Sequence, residues 1–280
     1  MKKNIQIFVF VTFLICFNCS GQNSTNITKI GYISQPEISE CSGITPSGKD
    51  KNLFWVNTDG PRSVIFAIDL SGKCVSRSVI TGAPVIDFED IARDDKGHIF
   101  IGDIGNNDAR RRTLAVYMID EPDPSKSTSV SKVKQSWHLT FPNKPFDCES
   151  LFIYKDNGYV ISKVFSASQA EIYRFALSDT SKLITLSFVS KLQVKSPVTG
   201  ADISSDGNLV ALTAKNGVYL FNIHQNFVST EKVKPHFVKF GNQHIEGCCF
   251  VPDGLVVTSE NRSIYLFTHQ FFHPDTVANK

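Results

Sequence analysis

The chain has 280 residues, and its 29 lysines and arginines against 27 aspartates and glutamates leave a formal net charge of +2 at pH 7. A charge so close to zero lacks the basic excess of nucleic-acid-binding proteins, so nucleic acid is not an expected partner. Beyond the first residues, no apolar run approaches the roughly 20 residues that cross a bilayer as a helix, so membrane contact is expected only through a lipid.

Residues 1–21 have the features of an export signal. Two lysines precede an apolar run, residues 5–17, that is too short for a stable transmembrane helix. Two processing sites are compatible with the residues after this run: Cys19 in CFNCSGQN resembles the acylated cysteine of a bacterial lipoprotein, and cleavage further on would leave Gln22 at the N-terminus. We therefore expect an exported protein that is secreted, periplasmic or attached to the outer membrane by a lipid.

Residues 22–27 have the composition of a polar tether, and residues 28–280 that of one domain built from a five-fold repeat. Each unit opens with a short, half-apolar strand that ends in a glycine turn. These openings are SECSGITPSG, DFEDIARDDKG, DCESLFIYKDNG, VTGADISSDG and IEGCCFVPDG. Two further apolar runs come next in every unit, and most units then have a less regular fourth strand: KCVSRSVI, QSWHLTF, TLSFVSKLQV and HFVKF.

Units of four short strands at a spacing of roughly 45–60 residues predict the blades of a β-propeller, an all-β fold. The fifth unit has only three strands, so we expect the early segment ITKIGYIS to supply the fourth and to close the ring, which removes exposed sheet edges. A six-bladed ring is the alternative, and it would need a unit hidden in the Pro/Ser-rich excursion near residues 123–140.

The repeat also predicts where a site would lie. In a propeller the first strand of each blade lines the central channel, and the start of the first strand and the end of the second open on one face, here called the mouth. Aligned on their first strands, the units begin at Ser42, Glu89, Glu149, Ala201 and Glu246. Counting from these positions gives the candidate ligand-binding residues Asn57, Asp87, Asp103, Asn106, Asp147, Lys163, Lys215, His244, Glu260 and Arg262. The first unit has one extra residue, so Asp59 is the alternative to Asn57 there.

Several acids around one mouth repel each other unless something compensates their charge. A hard cation such as Ca²⁺ would take carboxylate oxygens, and the candidate metal ligands are Glu89, Glu149, Glu246 and Asp103. The charge could equally be compensated by nearby lysines and arginines or by backbone N–H groups of the next blade. In that case the acids have a structural role. Five cysteines beyond the leader leave disulfide pairing open.

The segments SGIT, LFWVNTD, DFEDIA, GDIGNND, VYMIDEP, DCESL, TGADISSDG and IEGCCF together resemble the pattern of a widespread, largely uncharacterised family of exported bacterial β-propeller proteins. The resemblance covers roughly residues 38–267 and implies a propeller. More distantly, the chain is similar to propeller phytases and to the gluconolactonase/regucalcin group, and that similarity implies divalent metal at channel-mouth carboxylates.

Two functions are therefore weighed, and a third is weaker. The first is a monomeric binding propeller that holds a small anionic molecule, a glycan or a peptide at the mouth, and the lack of a visible nucleophile–base pair favours it. The alternative is a Ca²⁺-dependent, esterase- or phosphatase-like hydrolase of a phosphate ester or lactone. A glycosidase, which needs two carboxyl groups at hydrolytic spacing, is the weaker third.

Overall fold

The computed structural model describes residues 27–164 and 169–268, and they form a five-bladed β-propeller with four strands in every blade, as the repeat predicts. The export segment, Cys19 and all of the polar tether except its last residue lie outside the described residues. Strand β1 spans Ile27–Tyr32, and its first residue is the last residue of the predicted tether.

The strands follow the chain in blade order. Blade 1 holds β2 (Cys41–Pro46), β3 (Leu53–Thr58), β4 (Val64–Asp69) and β5 (Cys74–Thr81). Blade 2 holds β6 (Phe88–Arg93), β7 (His98–Asp103), β8 (Leu114–Asp120) and, beyond the extra strand β9 (Thr128–Lys132), β10 (Gln135–Thr140). Blade 3 holds β11 (Asp147–Tyr154), β12 (Asn157–Lys163), β13 (Glu171–Ala176) and, beyond the short β14 (Ile184–Thr185), β15 (Ser187–Lys191).

Blade 4 holds β16 (Val198–Ile203), β17 (Leu209–Ala214), β18 (Gly217–Asn222) and β19 (His236–Lys239). Blade 5 holds β20 (Ile245–Val251), β21 (Gly254–Ser259) and β22 (Ser263–Thr268). Two 3₁₀ helices, Phe227–Lys232 and Gly241–Gln243, lie before and after β19. Among the described residues, no helix has the length and apolar character that a membrane span requires.

The ring closes as predicted. Strand β1 pairs antiparallel with β22, so the N-terminal strand completes blade 5. The first strands of neighbouring blades contact one another all the way round the channel. The excursion near residues 123–140 supplies β9 and β10 rather than a sixth blade. Strand β9 pairs in parallel with the outer strand β5 of blade 1, and β14 pairs in parallel with β10, which covers two sheet edges.

The blades pack on each other through apolar side chains of their strands. Between blades 2 and 3, Trp137 lies between two phenylalanine rings, with its centroid 5.8 Å from that of Phe100 and 6.0 Å from that of Phe175. Five buried clusters of this kind form the core. All five cysteines among the described residues are unpaired thiols, so the core is not cross-linked there.

Every first strand carries a β-bulge at the same place, where its pairing with the second strand shifts register. The two residues at each bulge are here called the bulge pair. The bulge pairs are Ser42–Gly43, Glu89–Asp90, Glu149–Ser150, Thr199–Gly200 and Glu246–Gly247. A bulge turns side chains away from the regular alternation, and the first residue of each bulge pair lies at the mouth.

The second residue of the bulge pair lies where one blade meets the next, and close approach explains the glycines there. A Cβ on Gly43 would lie 2.5 Å from Asp90 Oδ1 of blade 2, and one on Gly247 would lie 2.6 Å from the carbonyl oxygen of Ser42 in blade 1. In blade 2 the position is Asp90, whose Oδ2 accepts a hydrogen bond from Leu151 N of blade 3 at 2.8 Å. The repeated Ser-Gly, Thr-Gly and Glu-Gly motifs thus join blades.

Candidate functional site

The bulge pairs give the structural alignment of the mouth, and it differs from the sequence count in blades 1, 2 and 4. The turn between first and second strands has between two and six residues, so a fixed offset does not reach equivalent positions. In blade 4 the residue equivalent to Glu89 is Thr199, not Ala201. In blade 1, Asp59 rather than Asn57 is equivalent to Lys163.

Three carboxyl groups from blades 1 and 2 come together at the mouth. Asp59 follows β3, Asp87 precedes β6, and Glu89 is the first residue of its bulge pair. One carboxyl oxygen from each lies within 4.8 Å of the other two. We call these three residues the acidic cluster.

Gly105, in the GDIGNN segment, makes room for the acidic cluster. A Cβ there would lie 2.3 Å from both Asp87 Oδ2 and Glu89 Oε1. Burial, together with the Asp59 and Asp87 carboxyls, raises the pKa of Glu89 to about 9 from an ordinary value of 4.5. Burial and the Asp59 carboxyl also raise the pKa of Asp87. The negative charge of this cluster is therefore incompletely compensated.

Asp147 adds a fourth carboxyl group beside the acidic cluster. Its side chain is 6% exposed, and Oδ1 accepts a hydrogen bond from Asn106 N at 2.7 Å. Its Oδ2 is buried without a hydrogen-bond partner. The Asp147 charge contributes to the raised pKa of both Asp87 and Glu89, so it lies within electrostatic range of both. A buried, unpartnered carboxylate oxygen is costly unless a ligand completes its coordination.

Blade 3 contributes a compensated acid. Glu149 and Lys163 form an ion pair in which each side chain is 8% exposed. The Lys163 ammonium also lowers the pKa of Glu89 and of Glu246, against the larger effect of burial, so it lies within electrostatic range of both. Of the predicted metal ligands, Glu149 is therefore held by an amine.

Blade 5 contributes a second group of acids. Burial and a hydrogen bond with Glu260 raise the pKa of Glu246 to about 9, while the ammonium groups of Lys163 and Lys215 act in the opposite direction. His244 Nδ1 lies 3.4 Å from Glu260 Oε2, and both side chains are largely exposed. The mouth thus combines the acidic cluster, the Glu246–Glu260 carboxyl pair and the two lysines Lys163 and Lys215.

Asp103, predicted both as a metal ligand and as a ligand-binding residue, is instead engaged within the fold. It is 1% exposed, and Oδ1 accepts hydrogen bonds from Asp87 N at 2.8 Å and Ile86 N at 3.1 Å. The Arg111 guanidinium pairs with the same oxygen at 3.0 Å. Asp103 stands one residue before the position equivalent to Lys163, and neighbouring strand residues face opposite sides.

Asn57 and Asn106 are likewise buried, and their side-chain amides form hydrogen bonds with backbone groups. Asn57 Oδ1 accepts from Gly43 N at 2.9 Å, and its Nδ2 donates to the carbonyl of Phe88 at 3.0 Å, which joins blades 1 and 2. Asn106 Nδ2 donates to the carbonyls of Arg111 and Phe146, both at 3.1 Å. These amides position the mouth loops.

The Arg262 guanidinium lies 5.1 Å from the ring centroid of Tyr32 on the outer strand of blade 5. The EP motif also has a structural role that the sequence did not indicate. Glu121 Oε1 accepts from Ser47 Oγ at 2.5 Å and from Trp55 Nε1 at 2.9 Å, so it joins blade 2 to blade 1.

No family model and no curated protein matches the chain. Among solved structures, the chain is similar to an auxiliary nutrient binding protein from Bacteroides thetaiotaomicron VPI-5482, with a TM-score of 0.46 and 10% sequence identity. The similarity covers 85% of this chain and 63% of that protein, so the chain spans less than two thirds of its length. Beyond the propeller fold, the resemblance of the sequence to an exported bacterial family stays a prediction.

Proposed function

We propose that this chain is an exported binding propeller that holds Ca²⁺ at the acidic cluster and, through it, a small anionic ligand at the mouth. The observation that carries the proposal is the approach of Asp59, Asp87 and Glu89 to within 4.8 Å beside the unpartnered Oδ2 of Asp147. Ca²⁺ takes six to eight oxygen ligands, and carboxylates bind it through one or both oxygens. Three carboxylates therefore satisfy part of its coordination and leave positions for a ligand.

The lysines support an anionic ligand. Lys163 stands on blade 3, next to blade 2, and its ammonium acts on Glu89 of the acidic cluster. Lys215 stands on blade 4, and both ammonium groups act on Glu246 of blade 5. A carboxylate or phosphate bound to Ca²⁺ would meet their ammonium groups, and charge-assisted hydrogen bonds of that kind are strong. A glycan or a peptide that carries such a group belongs to the same class, and export would place it outside the cytoplasm.

Hydrolysis is a second candidate, and the same juxtaposition of a cation site with Lys163 and Lys215 favours it. Ca²⁺ would polarise a phosphate or lactone oxygen, and the lysines would hold the anion. The two functions differ in turnover: a hydrolase consumes p-nitrophenyl phosphate or a lactone in a Ca²⁺-dependent way, whereas a binding protein leaves both intact.

The first test is thermal unfolding with Ca²⁺ and with a chelator. A ligand that binds only the folded state stabilises it by about 2.7 kcal/mol at a hundred times its Kd, which is roughly 5–10 °C in Tm for a domain of this size. We expect this rise for the native protein and its loss in Asp59→Asn. Asp156→Asn removes an exposed acid on the opposite face and is the matched control, which should keep the full rise. An unchanged Tm at millimolar Ca²⁺, or a full rise in Asp59→Asn, would refute the metal site.

A further inference from the structure

A groove with a volume of about 400 Å³ lies on the face opposite the mouth, at the edge where blades 3 and 4 meet. The turn between β11 and β12 forms one side, and the segment after β18 forms the other. Its lining residues are Tyr154, Lys155, Asn157, Tyr159, Arg174, Phe188, Val189, Gln225, Asn226, Phe227 and Val228. The volume falls in the range of small-molecule sites.

The floor of the groove is a cluster of aromatic rings. Tyr159, Phe152 and Phe227 contact one another: the Tyr159 centroid lies 4.9 Å from that of Phe152 and 4.6 Å from that of Phe227, the two phenylalanine centroids are 6.1 Å apart, and all planes are within 18° of parallel. Phe188 and Val228 stand at the rim with 52% and 73% of their surface exposed. Large apolar side chains at this exposure, beside a buried cluster of rings, offer a ligand an apolar wall.

The polar groups of the groove are cations and amides. No acidic side chain lines it, whereas Lys155 and Arg174 are both exposed there. Asp156, which follows Lys155 in the sequence, faces Lys96 at 3.2 Å. Lys155 Nζ lies 5.0 Å from the Tyr154 centroid and 3.4 Å from Gln225 Oε1, which holds it over the groove. Both charged side chains that line the groove are therefore cations, whereas acids predominate at the mouth.

Positive φ angles in non-glycine residues occur in the described ranges at two places, the mouth-face loops and this edge. Six non-glycine residues in the described ranges have a positive φ. Ala109, His244 and Arg262 belong to mouth-face loops; Lys155, His224 and Gln225 belong to the groove or its border. Such conformations cost free energy in residues with a Cβ and persist where the surrounding structure fixes them, commonly at binding sites.

We propose that this groove is a second binding site, separate from the mouth, for an acidic oligosaccharide. The C–H face of a sugar ring packs on aromatic and aliphatic walls such as Phe188 and Val228. Side-chain amides both donate and accept hydrogen bonds, as sugar hydroxyls require. The planar guanidinium of Arg174 presents a fork that matches a sugar carboxylate.

The test measures binding of digalacturonic acid to the exported part of the chain by isothermal titration calorimetry, with the neutral disaccharide galactobiose as comparison. We expect digalacturonic acid to bind at least tenfold more tightly than galactobiose. Arg174→Gln should weaken binding at least tenfold. Because Arg174 is exposed, the Tm of this variant should stay that of the native protein. Lys96→Gln, a cation outside the groove, and Asp59→Asn at the mouth should bind as the native protein does.

Three outcomes would overturn the proposal. The first is no heat of binding for digalacturonic acid at millimolar concentration, and the second is an unchanged affinity in Arg174→Gln. The third is a tetraglutamate peptide that binds more tightly than digalacturonic acid in an Arg174-dependent way, which would make the groove a peptide site. Loss of binding in Asp59→Asn would instead assign the sugar to the mouth, and so would also overturn the second site.

Discussion

Glu89 and Asp90 are neighbours in one bulge pair, yet they belong to two different regions of the molecule. Glu89 lies at the mouth with the acidic cluster, and burial beside other carboxyls raises its pKa. Asp90 lies between blades, where Oδ1 accepts from Ile91 N and Oδ2 from Leu151 N, both at 2.8 Å. Burial raises the pKa of Asp90 as well, and the Asp202 carboxyl adds to it, but the N–H groups of Leu151 and Ile91 act in the opposite direction. Glu89 has other carboxyls as its main neighbours, whereas Asp90 has N–H donors.

The comparison teaches that hydrogen-bond partners, rather than residue type or motif membership, separate structural acids from candidate ligands. Asp87 and Asp103 differ in the same way, because Asp103 accepts two backbone N–H groups and an arginine while Asp87 belongs to the acidic cluster. An acid with its acceptors filled stabilises the fold. An acid crowded by other acids costs stability until a cation arrives.

The largest effect should come from Asp90→Ala. The change removes the acceptor of two buried N–H groups at the junction of blades 2 and 3, and each unsatisfied donor costs about 1–3 kcal/mol. We expect the free energy of unfolding in urea to fall by about 3 kcal/mol. Glu89→Gln, in the same bulge pair, is the control, and its free energy of unfolding should not fall below that of the native protein. A loss below about 1 kcal/mol would contradict a role for Asp90 in joining blades.

Glu89→Gln should stabilise the metal-free protein at alkaline pH. At pH 4 the carboxyl is protonated in both states, so the substitution has little effect there. As pH rises from 4.5 towards 9, the unfolded chain ionises Glu89 while the folded protein does not, and the native protein loses stability. Glutamine removes that loss.

In chelator at pH 8 we expect a gain of about 2 kcal/mol for Glu89→Gln, which is roughly 4–8 °C in Tm. The gain should shrink as pH falls towards 4. With saturating Ca²⁺ the order should reverse, because the native protein gains the cation and the variant loses a ligand. A variant that is less stable than the native protein at pH 8 in chelator would contradict the uncompensated charge of the cluster.

The sequence predicts the fold well because each strand recurs five times and the missing fourth strand of blade 5 has a single candidate near the N-terminus. It does not predict β9 and β14, because parallel pairing at a blade edge depends on long-range docking rather than on local pattern. Asp87, Glu89 and Asp147 are site candidates predicted from aligned positions, and they lie at or beside the acidic cluster.

Asp59 is predicted only as an alternative to Asn57, and its position shows where sequence counting stops. The first turn of blade 1 has six residues and that of blade 3 has two, so equal offsets reach different positions. Because strand side chains alternate, an error of one residue exchanges a mouth residue for a buried one, as at Asp103. The number of residues between the bulge pair and the end of the second strand depends on the hydrogen-bond register of the two strands. That register cannot be read from the sequence.

The smallest effect on stability, and the sharpest on the site, should come from Gly105→Ala. Gly105 does not have a positive φ, so alanine meets no backbone strain there. Its Cβ would instead lie 2.3 Å from the Asp87 and Glu89 carboxyl oxygens, the ends of side chains that can rotate away. We expect a change in unfolding free energy below about 1 kcal/mol, which is ordinary for a substitution that strains no backbone.

The same variant should lose most of the Tm rise on Ca²⁺ addition, because its three carboxylates no longer converge although all remain present. Gly97→Ala, which has open space around its Cβ but a positive φ, is the control for backbone effects and should keep the Ca²⁺ response. A normal Ca²⁺ response in Gly105→Ala would mean that charge alone, and not the approach of Asp87 to Glu89, determines binding. The acidic cluster would then attract Ca²⁺ through its negative charge without coordinating the ion at fixed positions.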